Sequence, residues 1–277
     1  MEEQKQNESK NTNDRAVLPF LFRQYRAHLM ALTALFFFSE IFLWNSDVWN
    51  YRIPLLTLYV FIFVLYIAFS AHRAEKEFWK RFADDHDYTR AKTEITENPA
   101  GVSLYCNMGG KQRKIEEVTG RYNGNFISFS SFSAIIGEEK TGEPISFTLC
   151  ETTIPGAVPS VILISQKNTN NLVLLKRAIP DHKEFTLEGD FNKYFSVYTR
   201  PNKEREALEI LTPDIMVELI KYAELFSFEF NQDRIFVCGA TNLMKRAELE
   251  QLREISLYLA EKLSPVFRGS KNSHAHD

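Results

Sequence analysis

The chain has 277 residues, 44% of them hydrophobic and 25% charged, with a formal net charge of −3. That near-neutral balance excludes the strongly basic footprint of a nucleic-acid binder, so no nucleic acid is expected as a partner. Three cysteines, Cys106, Cys150 and Cys238, stand far apart with no CxxC pair. Such spacing suits reduced, buried thiols of a cytosolic compartment better than a disulfide framework.

Residues 1–26 open the chain. "MEEQKQNESKNTNDR" is polar, mixed in charge and lacks an apolar period, so it reads as a disordered tail. "AVLPFLFRQYR" (16–26) is apolar with two arginines and reads as an interfacial lead-in.

Residues 27–71 read as a two-helix transmembrane hairpin. A hydrocarbon core of about 30 Å needs roughly 20 apolar residues in helix. Residues 53–71 run nineteen positions without a charge, and "AHLMALTALFFFSEIFLW" (27–44) nearly matches them, interrupted by Glu40. Eight residues, "NSDVWNYR", join the two runs, with Trp44, Trp49 and Tyr51 clustered at the join as amphipathic rings do at a headgroup boundary. Pro54 falls in the first turn of the second run, where its missing N–H costs nothing. A buried hairpin of a soluble protein fits less well, because such helices are seldom apolar all round. A cleaved leader is disfavoured too: the first apolar run starts late and no small-residue cleavage site follows it.

Lys10, Arg15, Arg23 and Arg26 precede the first span and Arg73, Lys76, Lys80 and Arg81 follow the second, while the join offers only Arg52. Positive charge stays inside, which places both termini in the cytoplasm of a cell with the hairpin in its inner (plasma) membrane. Glu40 within the first span costs about 2.5–3.5 kcal/mol on insertion scales. Its apolar neighbours offset that cost. Protonation with donation to Thr57 or Tyr59, or snorkelling towards Trp44, would resolve it, and a relay in an oligomeric transport component is the sharper alternative.

Residues 72–95 read as a juxtamembrane helix and linker. Arg73, Lys76, Lys80 and Arg81 form a basic, aromatic flank suited to anionic lipid, although an ordinary stop-transfer flank accounts for them equally well. "DDHD" (84–87) groups acids around His86; Asp85 and His86 are the residues there that could ligate a cation or act as a base. A polar helix end in solvent explains the cluster without chemistry.

Residues 96–268 read as a cytoplasmic α+β domain. "GVSLYC" (101–106) has strand character, and Gly109 and Gly110 close it. Asn123 and Gly124 sit between alternating apolar residues of 116–132, a strong hairpin signal. Strands are expected at 144–154, 160–165 and 171–176, and two more around Gly189 within 185–199. Short turns between successive strands imply antiparallel pairing. Thr212, Pro213 and Asp214 begin a helix expected over 212–225, with Ile215, Leu219 and Tyr222 as its apolar stripe. "FSFEF" and "RIFVC" flank "NQD" (231–233) and read as a second hairpin. A last helix over 242–263 aligns Leu249, Leu252, Ile255, Leu259 and Leu263 on one face, read as core packed on an antiparallel sheet rather than as a partner-binding stripe. Residues 269–277 form a second disordered tail, whose His274 and His276 lack the fixed geometry of a metal site.

Four stretches, "FADDHDY" (82–88), "VTGRYNG" (118–124), "LEGDFNKYFSVY" (187–198) and "ALEILTPDIM" (207–216), resemble a widespread family of uncharacterised bacterial two-span membrane proteins with a cytoplasmic domain of unknown function. The resemblance covers most of residues 80–240 and implies an architecture. It brings no catalytic residues. The letters "EGD" and "KERE" are explained by a turn at Gly189 and a helix start capped by Asn202.

No phosphate-binding glycine loop, HExxH or GxSxG motif occurs, and "MGGKQRK" (108–114) lacks the strand-and-helix context of a P-loop. No catalytic, cofactor-binding or metal residue is therefore assigned, and no cofactor is expected. The reading favoured is a membrane-anchored cytoplasmic binding or scaffold module, with a protein partner or self-association open. The alternatives are a membrane-tethered enzyme acting on a lipid or envelope precursor, and an oligomeric transport component using Glu40.

Overall fold

The structure, a computed structural model, describes residues 52–91, 112–136, 143–167, 181–187, 189–239, 243 and 245–267. Glu40, the first predicted span, the strands expected at 101–106 and 171–176, and His274 and His276 lie outside the described residues. The chain divides into one compact unit ending at Arg81 and a second beginning at Phe82.

The first unit is described through helix α1, Arg52–Asp85, 34 residues long, whose last turn belongs to the second unit. At 1.5 Å per residue it spans about 50 Å. Among the described residues no helix is long and apolar enough to cross a membrane. Eleven of the twenty positions 52–71 of α1, namely 52–57, 60, 64, 67, 68 and 71, have side chains outside that description. Leu58, Phe61, Ile62, Leu65 and Phe69 are 45–60% exposed. Arg73, Lys76, Lys80 and Arg81 are exposed further along; Arg73 lies over the Phe69 ring at 4.4 Å and Arg81 pairs with Glu77 at 3.1 Å.

The second unit is α+β, as the alternation of its sequence predicts. Seven antiparallel strands form its sheet: β1 (Thr89–Arg90), β2 (Gln112–Tyr122), β3 (Asn125–Ile136), β4 (Glu143–Ser165), β5 (Lys183–Phe185), β6 (Phe195–Thr199) and β7 (Phe226–Gly239). Helices α2 (Glu204–Ile210) and α3 (Pro213–Ile220) join β6 to β7, and α4 (Arg246–Phe267) closes the order. The β2–β3 hairpin turns at Asn123 and Gly124, both with positive φ (49° and 83°), as a tight turn matched to strand twist requires.

The sheet is organised around β4. One edge of this 23-residue strand pairs first with β3 and then with β6, and the other edge pairs with β7. The strands expected at 144–154 and 160–165 are one strand, and "NQD" does not turn the chain: β7 runs continuously past it. The ladder shifts register between Thr153 and Val158 and again before Val161, so Pro155 and Pro159 fall where the regular pairing lapses. Opposite Val158, Gln232 takes φ 55°. A single left-handed residue makes a bulge, so the turn-forming residues bend both strands together. A reversal would have stripped β4 of its partner.

α4 lies against β4 and β7. Leu249, Leu252, Ile255, Leu259 and Leu263 are at most 1% exposed, so the leucine stripe is core. Gly156 admits the end of this helix: a Cβ there would stand 1.7 Å from the Phe267 carbonyl oxygen. α3 ends at Ile220, short of the expected 225, and the Thr212 hydroxyl donates to the Asp214 carboxylate at 2.5 Å instead of capping a backbone N–H. Asn202 adopts φ 65°, and the residue that caps α2 is Lys203.

Candidate functional site

A groove opens between the β5 segment and the α2–α3 pair. Its volume is about 920 Å³, within the range of small-molecule sites, roughly 300–1,000 Å³.

One wall is the loop leaving β5. Gly189 at φ 82° starts a 3-10 turn, Asp190–Lys193. The Asn192 side chain clamps the loop: its amide oxygen accepts from the Leu187 N–H at 3.2 Å and its NH₂ donates to the Leu187 carbonyl. Phe191 is buried against Phe195, ring centroids 5.1 Å apart. Phe185, Leu187 and Phe191 thus present a fixed apolar surface to the groove.

The other wall comes from the second faces of two short helices. α2 turns Ala207 and Ile210 into the core, which leaves Glu204, Arg205 and Leu208 on the groove. α3 buries Ile215 and Leu219, while Pro213, Met216, Val217 and Ile220 line the groove at i, i+3, i+4 and i+7. Leu208 is 50% exposed and Val217 61%. These are half of the four exposed large apolar side chains described in the second unit, the others being Phe126 and Val266. Reading the sequence for one apolar stripe on α3 missed this. The signal was present: a helix apolar on two faces needs cover on both.

The charges at the groove are few. Lys193 donates to the Asp190 carboxylate at 2.7 Å, and that hydrogen bond raises the lysine's pKa. Among the described residues the side chains of Glu204 and Arg205 have no hydrogen bond or ion pair. At the far side of α3, Lys262 reaches Asp214 at 3.3 Å and ties the wall to α4.

The residues singled out in "DDHD" lie elsewhere and serve as a clasp. His86 Nε2 meets the Glu250 carboxylate at 2.9 Å, and Arg246 donates to both Asp85 (2.7 Å) and Glu250 (2.6 Å) while lying over the Phe82 ring. Arg253 Nε donates to the Tyr88 hydroxyl at 3.1 Å; burial pushes that phenol's pKa up. Rings of Phe82, His86, Tyr88 and Phe129 pack beneath. Asp85 and His86 are thus tied to α4, while Asp84 and Asp87 stand exposed.

Two further clusters carry reactive or titratable groups. Ser160 Oγ stands 2.9 Å from His182 Nε2, a serine–histidine pair, but the buried His182 Nδ1 has no acceptor among the described residues to orient it. Burial lowers the His182 pKa, helped by the Arg200 charge. The pair holds the start of β5 against β4. On the sheet, Glu117 accepts from Lys114 (2.8 Å) and Ser128 (3.1 Å), and Arg234 pairs with Glu151, whose pKa burial raises against the pull of that arginine. Cys150 and Cys238 are both buried; burial pushes the Cys150 thiol up to about 12, far from reactivity at neutral pH. Among the described residues no group of three or more His, Cys, Asp or Glu converges as a metal requires.

No family model matches the chain, and no curated protein matches its sequence. A solved structure, that of the mycobacterial trehalose monomycolate transport factor A, TtfA, resembles it at 12% identity with a TM-score of 0.42, over 68% of this chain and 90% of that one. A likeness of that size carries no argument here.

Proposed function

We propose that the chain is a membrane-anchored binding module, held by the hairpin of residues 27–71 and presenting its α+β domain to the cytoplasm. The observation that carries this reading is the apolar stripe of α1. Leu58, Phe61, Ile62, Leu65 and Phe69 are about half exposed and follow one another at helical spacing within a run that has no charge from 53 to 71. Each such side chain gains roughly 1.5–3 kcal/mol when fully buried. A bilayer supplies that burial without a protein partner.

The charge pattern supports the orientation, with Lys and Arg gathered outside the two apolar runs and nearly absent between them. The exposed Arg73, Lys76, Lys80 and Arg81 suit contact with anionic headgroups, at about 1 kcal/mol for each basic residue near the surface. The binding part of the reading rests on the groove between β5 and the α2–α3 pair.

Thiol labelling in intact cells tests it. On a background with the native cysteines replaced, Ser46→Cys and Asn272→Cys are each exposed to a membrane-impermeant maleimide. Labelling at position 46 alone is expected. Labelling at position 272 would put the domain outside, and labelling at both or neither would overturn the hairpin.

A further inference from the structure

We infer that the groove holds the acyl tail of a single-chain zwitterionic amphiphile, with Arg205 receiving its phosphate and Glu204 its ammonium group. This inference rests on the membrane-anchored reading for its source of ligand, the lipid phase.

Three observations converge on this occupant. The lining is apolar on both walls, from Phe185, Leu187 and Phe191 to Met216, Val217 and Ile220, which suits a hydrocarbon chain. Glu204 and Arg205 are adjacent, line the same groove and lack a partner among the described residues. One unpaired acid beside one unpaired base complements a headgroup carrying both signs, whereas a simple carboxylate would leave Glu204 uncompensated. The remaining acid, Asp190, is already neutralised by Lys193.

The size also separates a lipid from a protein. Thirteen residues line the groove, against roughly 20–30 residues a side in a stable protein interface. α3, its longest wall, has eight residues, about 12 Å of helix. That is a short bed for a partner helix and an adequate one for part of an acyl chain.

The test uses the full chain in nanodiscs of phosphatidylglycerol and a lysophosphatidylethanolamine carrying a diazirine in its acyl tail. After irradiation, adducts are mapped by peptide mass spectrometry. Adducts within 185–191 and 204–220 are expected, displaced by unlabelled lysophosphatidylethanolamine. Glu204→Gln and Arg205→Gln should each reduce groove labelling about fivefold, the scale of a half-exposed charge-assisted contact. Val217→Glu, at a position already open to solvent, should abolish it while the domain keeps its unfolding midpoint. A diazirine fatty acid of equal length should label the groove less than the zwitterion.

Adducts confined to α1 would overturn the groove assignment and leave the anchor intact. Groove labelling in a chain that does not enter the nanodisc would overturn the anchor instead. Equal labelling in all variants, or an unlabelled groove whose Leu208→Cys and Val217→Cys variants crosslink between two copies, would overturn the proposal, the latter giving the groove to a second chain.

Discussion

Helices α1 and α4 are both long and both rich in large apolar residues, yet they dispose of them in opposite ways. Along α4, Leu249, Leu252, Ile255, Leu259 and Leu263 vanish against β4 and β7, with exposures of 1% or less. Along α1, Leu58, Phe61, Ile62, Leu65 and Phe69 stand 45–60% open. The sequences differ in the matching way. α4 alternates its leucines with Arg, Glu and Lys, whereas 53–71 of α1 has no charge to set against water. A helix with a polar face has a solvent on one side and a core on the other; a helix without one needs a single apolar surrounding.

Substitutions that treat the two stripes alike should therefore give unlike results. Leu252→Ala should lower the domain's unfolding free energy by about 2–5 kcal/mol through lost burial and a residual cavity, read from its denaturant midpoint. Leu65→Ala should leave that midpoint unmoved within about 0.5 kcal/mol. Equal losses would mean that α1 is core to the same cooperative unit, and the contrast would fail.

Gly156→Ala sharpens the α4 side. The added Cβ would meet the Phe267 carbonyl, a backbone atom that cannot rotate away, so a loss of about 1–3 kcal/mol is expected. Proteolysis or amide exchange should locate it at the end of α4. An unchanged stability would show that this end of the helix does not rest on the β4 bend.

Arg246→Ala probes the clasp between α4 and the end of α1. It leaves the carboxylates of Asp85 and Glu250 without their guanidinium, and because these groups are partly exposed the loss should be about 1 kcal/mol.

The smallest effect concerns His182. Its folded pKa lies below the ordinary histidine value of 6.5, through burial and then the Arg200 charge, so the unfolded chain binds the proton more readily. The stability this histidine contributes is fully present above pH 6.5 and is lost as pH falls through its folded pKa. A His182→Gln variant should show a flatter stability profile below pH 6.5 than the parent; an identical slope would remove His182 as its source.

The α+β class, the β2–β3 turn and the leucine face of α4 were legible because each depends on local chemistry: alternation, an Asn–Gly pair, a 3.6-residue stripe. The course of β4 and β7 was not. "NQD" and Pro155 carry turn chemistry, and only the partner strand decides whether such residues reverse the chain or merely bend it. The clasp was not legible for a related reason: Asp85 and His86 read only as a polar helix end until Arg246 and Glu250, more than 160 residues away, are brought beside them. The groove was half legible. Met216, Val217 and Ile220 mark a second apolar face on α3, but its opposite wall arrives through a different segment, and the sequence does not announce which.

The most direct test of the account is depth measurement on α1. Single spin labels at Phe61→Cys on α1 and Val266→Cys on α4, both at positions about 60% exposed, would be compared in liposomes for collision with oxygen and with a water-soluble nickel chelate. A membrane-embedded α1 predicts that the label at 61 is reached by oxygen and shielded from nickel, with the reverse at 266. Equal nickel access at the two positions would contradict a membrane-embedded α1.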